Sequence, residues 1–175
     1  MFSDPIKNLK ALGLHENSIV ADLGAGTGFY SVAVGHIVTR GKVYAVEIMK
    51  DFLATISQKV KEAHLNNVEI IWGNIEKVGG TKIKEGVVDA VIASNVLFQV
   101  EDKNKFIEEI KRILKKGGRV LLIDWSDSPA AGTAEHALIK KEEARGLFER
   151  QGFSLVGQID AGAHHYGMIL VKNNE

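Results

Sequence analysis

The residues of this 175-residue chain whose types and spacing could do chemistry begin with Asp22-x-Gly24-x-Gly26-x-Gly28. The apolar run Ile19-Val20-Ala21 ends at Asp22, and a helical pattern opens at Phe29-Tyr30. That order spells a strand, a tight turn and a helix N-terminus. Glycine at every second position lets a ligand approach the backbone and lets the turn use positive φ. The helix start offers N–H groups and the positive end of a dipole to an anionic group. The dinucleotide fingerprint Gly-x-Gly-x-x-Gly needs a glycine at position 29, where Phe29 stands. Asp22 would also set a negative charge beside a pyrophosphate. A ligand with an amino group and one carboxylate suits the loop better; a strand–helix turn holding nothing is the alternative.

Three further sets of residues sit where strands end. Glu47 closes the strand Lys42–Val46, and an acidic group there can accept hydrogen bonds from the ribose hydroxyls of any nucleoside ligand. A solvated strand-end glutamate is the alternative. Ile48 and Met49 follow, as core or as walls for a ring. Ser94 and Asn95 end the strand over 87–93, and small polar groups at that place line the crevice of an open α/β sheet; helix capping is their other use. Asp124 and Trp125 end the strand over 119–125.

The elements that must position these residues are legible from periodicity. Helices are predicted over 5–13, 27–39, 50–65, 102–115 and 138–151, with Phe52, Ile56, Val60 and Ala63 as the inward face of the third. Strands are predicted over 18–23, 42–46, 68–72, 87–93, 119–125, 153–159 and 166–172. Alternation of strand and helix through the sixth strand implies an α/β, doubly wound parallel sheet. Asp160 to His165 is too short for a crossover helix, so the seventh strand must run antiparallel.

Composition narrows the function classes. The 22 basic and 22 acidic residues balance, which gives no global field for nucleic acid. Absence of cysteine excludes disulfides, thiolate catalysis and cysteine zinc sites. No apolar run reaches the roughly 18 residues that span a bilayer, and no signal peptide precedes the first strand. The expectation is one cytoplasmic domain over 1–175. No metal site is expected, since the adjacent His164 and His165 would point to opposite faces of a strand.

The stretch 22–28 resembles motif I of the class I S-adenosylmethionine-dependent methyltransferases. Residues 106–123 resemble that family's Leu-x-Glu-x-x-Arg-x-Leu-Lys-Pro-Gly-Gly run, with Lys116 in place of proline. Gly73-Asn74 stands where Gly-Asp is usual, and the amide oxygen of Asn74 can still accept a bond; a turn-forming asparagine is the alternative. The resemblance covers about residues 18–172 and is nearest the ubiquinone/menaquinone biosynthesis group. It implies a Rossmann-like seven-stranded sheet in the order 3-2-1-4-5-7-6. It implies S-adenosylmethionine as cofactor and S-adenosylhomocysteine as product. Asp22 would serve the amino acid end, with Gly24, Ala25, Gly26 and Gly28 around it. Glu47 and Ile48 would serve the ribose and adenine, Asn74 and Ile75 the adenine, and Ser94 and Asn95 the methionine end and methyl acceptor.

The implied function is methyl transfer to a small-molecule acceptor. Protein or RNA acceptors, and a cofactor-binding partner subunit without activity, are the alternatives. The segments before the first strand and after the fifth are short where relatives build a lid, so the site would be open or closed by a second subunit in a homodimer. In that strand order, His164, His165 and Tyr166 come close to Asp124 and Trp125, with His136 at the same rim. Asp124, His164 and His165 are therefore the expected acceptor-side catalytic residues; surface histidines and a structural aspartate are the alternative.

Overall fold

The computed structural model describes residues 4–126 and 138–175. In chain order the elements are α1 (Pro5–Lys10), β1 (Ile19–Leu23), α2 (Phe29–Ile37), β2 (Lys42–Glu47), α3 (Lys50–Glu62), β3 (Val68–Trp72), β4 (Val88–Ser94), α4 (Lys103–Ile113), β5 (Leu114–Trp125), α5 (Lys141–Arg150), β6 (Phe153–Ile159) and β7 (His165–Lys172). They form one seven-stranded sheet in the order β3-β2-β1-β4-β5-β7-β6. Pairings among β1 to β5 are parallel. β7 runs antiparallel to both β5 and β6. The strand order implied by the resemblance and the reversal implied by the short 160–165 link are both present.

Local chemistry sets the element ends. Asp4 caps α1 by accepting the Ile6 N–H at 2.9 Å, with Pro5 in the first turn. Asp102 caps α4 by accepting the Lys105 N–H at 3.0 Å. The apolar face of α4, Phe106, Ile107, Ile110 and Ile113, is buried against one side of the sheet with Phe148 of α5. Leu9, Tyr30 and Val34 from α1 and α2 cover the other side. Burial on both faces explains why β1 and β4 read as near-continuous apolar runs rather than alternating ones.

Most helices are shorter by one to three residues at an end than periodicity predicts, and the largest difference in a boundary is at β5. β5 starts at Leu114, directly after α4, not at Arg119. Leu114 pairs with Val88 and Arg119 with Ala90, so two steps along β4 face five along β5. The Lys115–Gly118 stretch bulges out between those pairs, with Gly117 at φ +73°. Those residues looked like a helix-ending turn because a bulge and a turn use the same residue types.

Candidate active site

A cleft of about 810 Å³ opens over the carboxyl ends of β1, β2 and β4. That is the switch point, where helices leave the sheet in opposite directions. Its floor is the stretch 24–27; Gly28, at φ +82°, is not among the lining residues, and a Cβ there would sit 3.1 Å from Cγ1 of Ile56. Gly24 has φ +71°, and a Cβ there would sit 2.7 Å from Cγ2 of Val96. Gly26 has φ +56°, but a Cβ there would meet nothing within 4 Å. Gly24 is thus required by packing, and Gly26 leaves open space on the cleft side.

Two buried carboxylates frame the loop, and both line the cleft. Glu47 Oε2 accepts the Gly26 N–H at 2.8 Å, and Oε1 accepts the N–H groups of Ile48 and Met49 at 2.8 and 3.0 Å. Asp22 Oδ2 accepts the Ser31 hydroxyl at 2.7 Å. Burial pushes the Asp22 carboxyl up to about 6, reinforced by the charge of Glu47 and opposed by the Ser31 hydrogen bonds. A raised folded value means that the native state holds the proton more tightly than the unfolded chain. Stability should therefore rise as pH falls from about 7 through 6 towards 4, by up to roughly 3 kcal/mol from this group. Thermal melts across that range should show a slope that Asp22→Asn reduces. An unchanged slope in the variant would contradict the assignment. Asp124, also pushed up to about 6 by burial, supplies the remainder of the trend.

Across the loop, β4 ends in Ser94 and Asn95, and both line the cleft. Asn95 adopts φ +57°, a left-handed conformation that asparagine tolerates better than most residues. Its Oδ1 is buried with no hydrogen-bond partner. A buried acceptor left open on a cleft is what a ligand N–H would satisfy. Asn74 and Ile75 form part of the opposite wall. Asn74 Oδ1 accepts the Glu76 N–H at 2.9 Å, the geometry of a turn former, with a second lone pair available.

On the acceptor side the register places each residue individually. Asp124 pairs with Tyr166 and Trp125 with His165 across β5 and β7. The His165 ring lies against Trp125, centroids 4.0 Å apart, and His165 lines the cleft with its Nε2 buried and unpartnered. Burial first, and His164 second, hold its imidazole below the usual value. Asp124 is fully buried and does not line the cleft. Its carboxylate accepts the N–H groups of Phe98 at 3.0 Å and Trp125 at 2.8 Å, with Leu97 also bonded. It therefore anchors the loop that carries Asn95. His164 is exposed and is not among the residues lining the cleft; its carbonyl accepts the Ser126 N–H at 2.9 Å. His136 lies outside the described residues.

Several lining residues were not singled out from the sequence. Phe29 and Tyr30, packed edge to face at 5.6 Å, form one wall. Phe52 was expected inward on α3, yet it is 37% exposed at the cleft rim beside the exposed Met49. Helical spacing with Ile56 and Val60 cannot tell a core contact from a rim contact one turn above it. Gln99 lines the cleft with its Nε2 donating to the Asn95 carbonyl at 2.8 Å; nothing in its sequence context marks it. Among the described residues no group of three or more His, Cys, Asp or Glu could hold a metal ion. No helix among them is long and apolar enough to cross a membrane.

Residues 21–122 match the family described as a methyltransferase domain. Demethylmenaquinone methyltransferase of Oceanobacillus iheyensis is 28% identical over 125 residues, 71% of this chain and 51% of that protein. Arsenite methyltransferase of Homo sapiens is 31% identical over 117 residues, 62% of this chain and 31% of that protein. The chain thus spans about half or less of the length of these relatives. A solved SAM-dependent methyltransferase from Aquifex aeolicus superposes with a TM-score of 0.87 at 27% identity, covering 97% of this chain and 90% of the other.

Proposed function

This chain belongs to the methyltransferase domain family, and we propose on that premise that it moves a methyl group from S-adenosylmethionine to a small-molecule acceptor. The observation that carries this reading is the convergence of Asp22, Glu47 and the open side of Gly26 on one cleft at the sheet's switch point. When bound, the cofactor supplies a methyl group on a cationic sulfur, already activated for displacement. The residues fit it. Asp22 takes the α-ammonium, and the open Asn95 Oδ1 accepts a second N–H at the methionine end, beside Ser94. Gly24, Ala25 and Gly26 leave room for the amino acid end, and Gly28 makes the close turn against Ile56 that starts α2. Ile48 and Ile75 pack on the adenine, and Asn74 accepts from its amino group.

Glu47 holds the ribose. A carboxylate offers about four acceptor positions, and three are taken by Gly26, Ile48 and Met49. One hydroxyl binds without rearrangement, and a second displaces one of those N–H groups. Glu47→Ala should weaken S-adenosylhomocysteine binding by roughly 1–3 kcal/mol in calorimetry. Unchanged affinity would make Glu47 a loop brace only.

On the acceptor side His165 works in the cleft. Asp124 acts at one remove by fixing the loop after β4, and His164 serves the β7 edge. The rest of the rate comes from aligning the two reactants and excluding water. The enzyme is cytoplasmic on this reading, and a second copy of the chain would close the open mouth. Two relatives are named for small acceptors, demethylmenaquinone and arsenite, which supports a small molecule over protein or RNA. The test is a lysate separated into small molecules, RNA and protein, each offered with S-adenosylmethionine. S-adenosylhomocysteine should form with the small-molecule fraction. Formation only with protein or RNA would overturn the acceptor class.

A further inference from the structure

We propose that the face built by Met49, Phe52 and Trp72, with Lys50 and Lys82 beside them, docks on the surface of an anionic lipid bilayer. The first observation is an apolar patch left in water. Ile48, Met49 and Trp72 are each more than half exposed, and Phe52 joins them at the cleft rim. The patch is continuous, because the Trp72 indole N–H donates to the Ile48 carbonyl at 3.0 Å. The cofactor does not account for it. On the reading above the adenine takes Ile48, whereas Trp72 is not among the residues lining the cleft. Contiguous exposed apolar surface marks a contact site.

The second observation is the charge set against that surface. Two ammonium groups lie over the Trp72 ring, Lys50 Nζ at 4.9 Å and Lys82 Nζ at 5.6 Å from its centroid. Among the described residues neither is ion-paired. Asp51, next to Lys50 in sequence, subtracts one charge and leaves the face net positive. Lys82 also donates to the Trp72 carbonyl. It does so from a left-handed backbone, φ +61°, which residues other than glycine rarely adopt. A tryptophan flanked by lysines and aliphatic side chains matches the boundary of a bilayer, where the indole sits at headgroup level and the ammonium groups meet lipid phosphates. Lysine is depleted where proteins meet. Ile48 and Met49 offer no plane on which a base could stack. Both points favour lipid over a protein or RNA partner.

The test sediments the intact chain with vesicles of phosphatidylcholine alone and of an equimolar mixture with phosphatidylglycerol. The mixed vesicles should bind the chain at least roughly fivefold better, the effect of about one net charge near the surface. Raised salt should remove that preference. Trp72→Ser should lower binding to the mixed vesicles roughly tenfold. Lys50→Gln combined with Lys82→Gln should lose the preference for them. Val156→Ser removes an exposed apolar side chain from β6, at the opposite edge of the sheet, and should bind as wild type does. Thermal melts show which variants are folded, and the lysine pair keeps the test decisive if Trp72→Ser is not. No binding to either vesicle, equal binding of wild type to both, or equal losses in Trp72→Ser and Val156→Ser would overturn the inference. So would a Trp72-dependent dimer, or a Trp72-dependent complex with oligouridine, formed by a chain that ignores vesicles.

Discussion

Valine at Gly26 is expected to abolish S-adenosylhomocysteine binding while leaving the chain folded. The position combines φ +56° with open space around the added Cβ. The folded state therefore bears only the left-handed strain of an L-residue, roughly 1–2 kcal/mol. For a domain of this size that lowers Tm by about 2–8 °C. Both valine methyl groups would project where the ligand must approach the backbone, beside the 2.8 Å bond from the Gly26 N–H to Glu47. A loss of at least roughly 100-fold, about 2.7 kcal/mol, is expected in calorimetry. Gly24→Val is the contrasting case: its Cβ already collides with Val96, so that variant should lose its fold rather than its ligand alone. Retained affinity in Gly26→Val would mean that the ligand does not lie against the loop.

The largest stability effect is expected from Glu109→Ala. The Glu109 side chain is fully buried. It accepts from Arg112 Nε and Nη2 at 2.8 and 2.7 Å, the Thr81 hydroxyl at 2.6 Å and the Gly79 N–H at 2.7 Å. These bonds fasten the link between β3 and β4, which carries Asn74 and Ile75, to α4. Removing the carboxylate strands Arg112 and two loop groups, at a cost of roughly 3–5 kcal/mol and about 6–20 °C in Tm. A melt within 2 °C of wild type would refute this, by roughly the shift of a 1 kcal/mol change. Burial alone would raise the Glu109 carboxyl, but the hydrogen bonds from Arg112, Thr81 and Gly79 and the Arg112 charge outweigh it and hold it below its ordinary 4.5. Its contribution is present above that value and lost as pH falls further. Asp22 and Asp124 work in the opposite sense between about 6 and 4. The stability curve should accordingly keep rising as pH falls to about 4 and turn over only below that, where the loss from Glu109 overtakes the gain from the two aspartates.

The fold was legible because its signals are local and repeated. Apolar runs ended by Asp22, Glu47 and Ser94 gave the parallel strands, and the short Asp160–His165 link forced β7 to reverse. The strand order implied by the resemblance brought His164, His165 and Tyr166 close to Asp124 and Trp125, and the structure supplies the register, Trp125 opposite His165 and Asp124 opposite Tyr166. Placement relative to the cleft was less legible. Asp124 and His165 begin from the same corner, yet one is tied to backbone N–H groups and the other opens on the cavity. Successive residues on a strand point to opposite faces, and a sequence does not say which face the cavity takes. Phe52 and Met49 carry core residue types at a rim, and Glu109 sits in a helix pattern that its neighbours fill equally well with Glu108. The partner that distinguishes Glu109, the 79–81 loop, is some thirty residues away and has no periodicity to announce it.

Calorimetric titration of the intact chain with S-adenosylhomocysteine, with NAD as the control, tests the central claim most directly. Both molecules are nucleosides that Glu47 could hold by the ribose, so only the Asp22 and Gly26 end of the cleft separates them. Saturable binding of S-adenosylhomocysteine with none of NAD is the expected result. Tight NAD binding with no response to S-adenosylhomocysteine would contradict it.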